Sequence, residues 1–252
     1  ELGQTLYFLG ELPKAREHLE RSIARYDSTK HDTHIFLYGQ DPGVVSLAQN
    51  ARTLCLLGHL DQAVQQVEAA IALAQKIAHP YSLAVAQYHA AMVHHARRDI
   101  QRTQAIVEAP VALSPEHGLP YWLSLMQVLK GWTFAHLGNY ETGIHMMQQG
   151  LIASREAGAM LNHPYSLVLL AEVYGAMGET QRGLLLLHEA QHIVEQKAGY
   201  FYQAEMLRLQ GELTLQQEVR DWKTQLFTVE AASEALAAAE QYLLKAIEVA
   251  RG

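Results

Sequence analysis

The strongest constraint in this sequence is a pattern that recurs every 40 residues. Gly58, Arg98, Gly138 and Gly178 each stand at a turn between two amphipathic segments, and Gly10 marks the same turn near the N-terminus. On either side of these turns, apolar residues recur at intervals of three and four, which is the spacing of one helix face. A fixed period in this range is typical of a solenoid, in which each unit packs on its neighbours. The sequence therefore predicts a stack of helix pairs.

Small residues occupy three columns of this repeat in phase. A glycine inside a helix costs roughly 1 kcal/mol relative to alanine, so its recurrence at one phase predicts close packing of two helix backbones. The first column contains Gly3, Ala51, Ala91, Gly131, Ala171 and Gly211. The second contains Ala15, Ala63, Thr103, Gly143, Gly183 and Ala239, and the third contains Ser22, Ala70, Pro110, Gly150, Ala190 and Ala246.

These columns predict the fold class and the limits of the units. We expect an all-α, right-handed superhelix of six helix pairs that forms a single domain over residues 1–252. The units are predicted at about 1–27, 43–78, 80–114, 119–157, 163–198 and 200–251. Two insertions, 27–43 and 217–234, interrupt the array. Prolines at 80, 120 and 164 open three of the units, because proline is well tolerated in the first turn of a helix.

The three columns of small residues resemble those of the tetratricopeptide repeat (TPR) family. The usual repeat of that family has 34 residues, whereas the period here is 40. The tryptophan common early in the first helix of a TPR is absent, and Leu47 and Leu207 take its place in two units.

Four longer phrases are similar to the repeat region of large bacterial signalling proteins. They cover residues 9–20, 38–44, 131–135 and 204–213. In those proteins a nucleotide-cyclase or kinase domain precedes a P-loop ATPase of the signal-transduction type, and the repeats form the C-terminal part. The resemblance implies a sensor or scaffold segment of a multidomain regulator. It carries over no catalytic residue, because it does not extend to the catalytic domains.

Composition and charge narrow the class of function. The net charge is −7, and no cluster of Lys and Arg marks a face for binding nucleic acid. No apolar run approaches the roughly 20 residues that a membrane-spanning helix needs. With one cysteine and no targeting segment, we expect a cytoplasmic protein with no nucleic-acid partner, no membrane span and no cofactor.

One motif invites a catalytic interpretation. His188, Glu189 and His192 match H-E-x-x-H, in which two histidines on one helix face hold zinc and the glutamate acts as general base. Ala190, however, belongs to the third column of small residues, so this helix is already assigned to packing. We interpret the motif as structural and predict neither a metal site nor enzymatic activity.

The candidate binding surface follows from solenoid geometry. The first helices of stacked pairs line the concave face, and aromatic residues, Met and Arg are enriched at recognition surfaces. The residues predicted to line a groove there are Arg52, Tyr88, Met92, His95, Trp132, Glu172 and Arg208. The alternative is that Trp132 and Met92 fill a tight interior of the superhelix.

The sequence leaves two functions open. The first is non-catalytic recognition of a peptide, a protein or other domains of the parent signalling chain. The second is a small-molecule effector sensor, with the ligand enclosed around Tyr88 and Trp132. The sequence predicts no particular oligomeric state.

Overall fold

The computed structural model describes residues 1–109, 119–158, 160–197, 200–223 and 229–251, and all regular structure in these ranges is helical. The first helix of each pair, here called an A helix, is α1 (Leu2–Phe8), α4 (Pro42–Leu56), α6 (Pro80–Ala96), α8 (Leu119–His136), α10 (His163–Ala176) or α12 (Gln203–Lys223). The second, a B helix, is α2 (Leu12–Ala24), α5 (Leu60–Lys76), α7 (Ile100–Glu108), α9 (Tyr140–Glu156), α11 (Thr180–Lys197) or α13 (Val229–Arg251). The predicted all-α solenoid of six helix pairs is confirmed.

A residue in the left-handed region makes the turn within each of the first five pairs. Gly138, for example, has a φ of 92° and follows the last turn of α8. At the corresponding place after α6 stands Arg98, with a φ of 58°, which is an uncommon conformation for a residue with a side chain. The turn predicted from the 40-residue anchors is therefore present at Arg98 in spite of its side chain.

The segments predicted as insertions contain helix. Between α2 and α4 lie a single 3₁₀ turn, Ser28–Lys30, and the short helix α3, His31–Tyr38. In the second segment, α12 continues to Lys223 and α13 begins at Val229. The reason is local, because residues 217–223 include Gln, Glu, Arg and Lys, which favour helix, and contain no Gly or Pro.

The A helices are buried on more than one side, whereas the B helices are amphipathic. Residues 163–171 of α10 are all buried, because α10 packs against α8, α9, α11 and α12. On α5 the buried residues are Ala63, Val67, Ala70 and Ala74, at helical intervals of three and four. The A helices therefore form an inner layer and the B helices an outer one. No helix in the described part of the chain is long and apolar enough to cross a membrane.

The backbones of α8 and α9 approach each other closely at two glycines. A methyl group added at Gly131 would stand 2.5 Å from the carbonyl oxygen of Gly143, and one added at Gly143 would stand 2.5 Å from that of Gly131. All members of the first two small-residue columns are buried, which confirms their role in packing. In the third column Ser22 is exposed and makes a 2.8 Å hydrogen bond with Ser46, and Pro110 lies outside the described residues.

We predict that Gly131→Ala lowers the free energy of unfolding by about 2 kcal/mol, because the new methyl group meets a backbone oxygen that cannot move alone. Gly175→Ala is the matched control. The three atoms nearest to its added carbon all belong to side chains, with Cδ2 of Leu213 the nearest, and none is a backbone atom. Urea denaturation of both variants measures the difference, and an equal loss in the two would contradict the proposed backbone contact.

Candidate functional site

The inward side chains of the A helices meet along the axis of the superhelix. Tyr7 of α1 lies against Phe201, which precedes α12, with ring centroids 4.9 Å apart. Tyr165 of α10 lies edge-on to Tyr202 at 4.7 Å. The first pair therefore closes against the segment that leads into the sixth. We call the filled interior the axial core, and it consists of Tyr7, Arg52, Tyr88, His95, Trp132, Tyr165, Phe201 and Tyr202.

Five of the seven side chains predicted to line a groove lie inside the protein. Their exposed fractions are 1% for Arg52, 1% for Tyr88, 2% for Met92, 3% for His95 and 0% for Trp132. The structure brings them together as a packed interior, which is the alternative arrangement that the sequence also allowed. That these residues bind a partner stays a prediction.

Polar side chains surround the Glu172 carboxylate at one end of the axial core. The Trp132 indole Nε1–H donates a hydrogen bond to Glu172 Oε2 at 3.1 Å, and the Arg98 guanidinium forms an ion pair with the same carboxylate. Nε2 of His136 lies 3.6 Å from the carboxylate and Nε2 of His95 lies 3.9 Å from it. Glu172 is thus the acceptor around which four A-helix and turn residues are arranged.

These neighbours decide the protonation state of Glu172. Burial by itself raises the pKa of a carboxyl group, but His136, His95 and the charge of Arg98 together hold the pKa of Glu172 far below its usual range. Burial lowers the pKa of His95, whose Nδ1 lies 3.1 Å from the Tyr165 hydroxyl. At neutral pH, Glu172 is therefore ionised.

Arg98 was not among the predicted site residues, although the sequence carries a signal for it. The other four turns of the alignment have glycine at this column, and Arg98 alone has a side chain there. A non-glycine residue with positive φ costs energy unless its surroundings compensate. The ion pair with Glu172 is a contact that an arginine makes at this turn and a glycine could not make.

Arg208 is the predicted site residue that lies apart from the axial core. Its Nε and Nη2 donate to the two carboxylate oxygens of Glu205, each at 2.7 Å, and its Nη1 donates to Glu212 at 2.6 Å. Glu205 in turn lies 3.8 Å from Arg98. A chain of ion pairs therefore runs from Arg98 through Glu205 and Arg208 to Glu212, and both the charge and the donors of Arg208 have partners.

Arg52 has the opposite environment. Its guanidinium lies 5.8 Å from the centre of the Tyr165 ring and close to the hydroxyl of Tyr7. Among the described residues, its Nε and Nη2 have no hydrogen-bond partner, nor does the hydroxyl of Tyr88. Burial raises the pKa of Tyr7, Tyr88 and Tyr165, so these hydroxyls stay neutral and offer no negative charge. The axial core thus holds a buried cation that no carboxylate neutralises in the described structure.

The H-E-x-x-H motif lies on the outer face of α11. His188, Glu189 and His192 are exposed, and Glu189 forms an ion pair with Arg155 at 3.3 Å. Nε2 of His192 is 2.8 Å from the side-chain amide of Gln196. Within the described ranges, no group of three or more His, Cys, Asp or Glu residues has a geometry that could hold a metal ion.

We predict that Glu172→Gln lowers the free energy of unfolding by about 2 kcal/mol at pH 7, because Arg98 loses the nearer of its two carboxylate partners and the acceptor for Trp132 becomes weaker. Folding lowers the pKa of Glu172 below its ordinary value of 4.5. The carboxylate's contribution is therefore complete above about pH 4.5 and shrinks as the pH falls below that value. The difference between wild type and variant should follow the same course in urea titrations.

Glu189→Gln provides the control, since the ion pair between Glu189 and Arg155 is exposed and such pairs contribute less than about 1 kcal/mol. Equal losses in the two variants would show that Glu172 is no more than a surface charge.

Comparisons with known proteins identify the fold. No family model matches the chain. An uncharacterized protein of Rhizobium meliloti (strain 1021) is 24% identical over 206 residues, which is 81% of this chain and 20% of that protein. The chain thus spans about a fifth of the length of this relative.

The solved structures to which the chain is similar include two helical-repeat proteins. BtubC (BKLC) from P. vanneervenii superposes with a TM-score of 0.52 at 13% identity, over 94% of this chain and 90% of its own. The nearly identical TPR-like repeats of a kinesin-light-chain-type protein from Podosopora anserina give 0.47 at 21% identity, over 77% and 92%. The chain has the fold of a TPR-like helical-repeat solenoid.

Proposed function

We propose that this chain is a non-catalytic helical-repeat scaffold that recognises polypeptide. Its partner is a peptide or protein, including other domains of a larger bacterial signalling protein that carries an ATPase and a cyclase or kinase. It works in the cytoplasm and requires no cofactor. The TPR-like fold and the similarity of several sequence phrases to such signalling proteins support this proposal.

The observation that carries the proposal is an apolar patch on α3. Phe36, Leu37 and Tyr38 are consecutive and expose 88%, 61% and 59% of their surface. Consecutive residues of a helix point to different sides of it, so these side chains make the surface around the C-terminal end of α3 apolar. Exposed apolar surface costs free energy in water and marks interaction sites on soluble proteins. We call these three residues the α3 patch.

The position of α3 also favours recognition. The helix lies between the first and second pairs, outside the repeat, and leaves the packing of neighbouring units intact. The axial core is filled, so a polypeptide has more access to the outer surface than to the predicted groove. Aromatic side chains such as Phe36 and Tyr38 are the types that most often dominate binding energy.

A photo-crosslinking experiment tests this function. Benzophenone-phenylalanine at position 36 in the full-length parent protein, in its own cells, should give one dominant crosslinked polypeptide, which mass spectrometry identifies as either a separate protein or a parent domain. The matched control carries the same group at Leu185, which is 66% exposed on α11. The same products from both positions, or none from position 36, would overturn the proposal.

A second candidate function, effector sensing, is favoured by Arg52. A buried guanidinium without a counter-charge is strongly destabilising, and an anionic ligand that reached it would recover that energy. A carboxylate or phosphate group matches the planar arrangement of its unpaired N–H groups. In this role the ligand would enter among Arg52, Tyr88 and Tyr165, and would displace part of the aromatic packing.

Thermal unfolding against a panel of phosphorylated and carboxylated metabolites tests the effector function. A true effector should raise the Tm of the wild type by about 4 °C or more at saturating concentration. Arg52→Met should abolish the shift while leaving the unliganded protein at least as stable, because it removes an unpaired buried charge.

Arg208→Met is the control and should keep the shift, because Arg208 lies outside the axial core. If no compound raises the Tm of the wild type, or if Arg52→Met responds as the wild type does, Arg52 is not an effector site.

A further inference from the structure

A cavity of about 340 Å³ lies between the first and second units, where α2 faces α4 and α5. The polar residues in its lining are Glu20, Asn50, Gln62, Gln65 and Gln66. The volume is at the lower end of the range of ligand pockets in proteins. We call this space the α2–α5 cavity.

Two amide oxygens in the wall of the α2–α5 cavity have no hydrogen-bond partner. Asn50 on α4 is 1% exposed, and its Oδ1 is buried without a partner in the described structure. Oε1 of Gln66 on α5 is in the same state. A buried carbonyl oxygen without a hydrogen bond costs free energy, so native proteins contain few of them. The terminal torsion of an amide side chain is soft, and a small rotation turns either oxygen to a donor that enters the cavity.

The repeat shows that the packing of this interface does not require amides. In the three units that follow, the column of Asn50 contains Ala90, Lys130 and Leu170, and the column of Gln66 contains Ile106, Met146 and Leu186. Ala90 and Leu170 are 0% and 3% exposed, so apolar side chains fill the place of Asn50 there. Only the second unit has an amide side chain in both columns. The two amides are therefore an exception to the repeat that packing does not explain.

The charge of the lining favours a cationic ligand. Glu20 on α2 is exposed at the rim, and none of the described residues that line the cavity is Lys, Arg or His. The Glu20 carboxylate pairs with Arg16 of the same helix at 2.7 Å, but exposed pairs of this kind are weak and exchange partners readily. The cavity thus offers acceptors from three helices.

A guanidinium group matches acceptors that are spread over three helices. It is planar, carries five N–H donors in a fixed fork, and has no acceptor of its own. A lysine ammonium concentrates its three donors at one point and is more strongly hydrated. Ile23 and Leu54 add apolar surface to the lining, on which the methylene groups of an arginine side chain can pack.

We propose that the α2–α5 cavity binds an arginine side chain of a partner polypeptide. The guanidinium donates to the oxygens of Asn50 and Gln66 and lies beside Glu20. The main chain of the partner stays outside, over Gln62 and Gln65, which are exposed. The inference rests on the proposed recognition of polypeptide for the source of the arginine, whereas the cavity is separate from the α3 patch and from Arg52.

A titration of the 252-residue chain with Nα-acetyl-L-arginine amide, followed by ¹H–¹⁵N NMR, tests the site. The side-chain amide signals of Asn50 and Gln66 should shift and saturate. The citrulline derivative has nearly the same shape without the charge, and it should bind about tenfold more weakly. The lysine derivative keeps the charge without the fork, and it should also bind about tenfold more weakly.

Asn50→Leu and Gln66→Met copy residues that the repeat uses at the same columns. Each should weaken binding of the arginine derivative about tenfold, because it removes one acceptor. Each should melt at the temperature of the wild type or above it in circular dichroism, since an unpartnered buried oxygen is lost. Gln75→Met, at an exposed position of α5 outside the cavity, is the matched control and should bind as the wild type does.

The absence of shifts at Asn50 and Gln66, equal binding of the arginine and citrulline derivatives, or wild-type binding by Asn50→Leu and Gln66→Met would overturn the site. Tighter binding of free L-arginine than of the blocked derivative would assign the cavity to a metabolite and overturn the polypeptide source. The crosslinking at position 36 reports separately, because its failure would refute the α3 patch without changing the binding of the arginine derivative.

Discussion

The contact on which this structure depends is the close approach of two helix backbones within each pair. It requires residues without bulk at fixed places, as Gly131 and Gly143 show, and every other level of the architecture follows from it. Because each pair is thin, successive A helices come near enough to the axis for their inward side chains to meet. A bulkier pair would leave a channel where Tyr7, Tyr165 and Trp132 now pack.

The amino-acid pattern was sufficient to predict the helix pairs but not the contacts of the axial core. Small residues in phase encode a local contact, so their columns predicted both the pairs and the faces that they bury. Whether the superhelix closes depends on the total of the small rotations between successive units, and no single residue determines that total. The contact between Tyr7 and Phe201 joins the first unit to the segment before α12 and could not be predicted from a local pattern.

The residues of the candidate site were likewise predicted only in part. Trp132 and Glu172 were both predicted to line the groove, and the structure joins them by a hydrogen bond. Arg98, which lies in a turn, forms an ion pair with the same carboxylate. The sequence showed an arginine in a column of glycines, but the prediction did not include it. Arg208 was assigned to the same face, yet its two glutamate partners hold it apart, because ion pairs along one helix form regardless of the superhelix. The two buried charges also have different surroundings. Glu172 has several partners, whereas Arg52 has no anionic partner in the described structure.

The meeting of α1 with the segment before α12 changes how this solenoid should behave as a folding unit. An open repeat array is nearly one-dimensional, so its units unfold and refold with reference only to their neighbours. Here the aromatic contact among Tyr7, Phe8 and Phe201 connects the first unit to the last, and loss of either end removes support from the other. We therefore expect the chain to unfold more cooperatively than an open repeat array, because these contacts join units that are distant in the sequence.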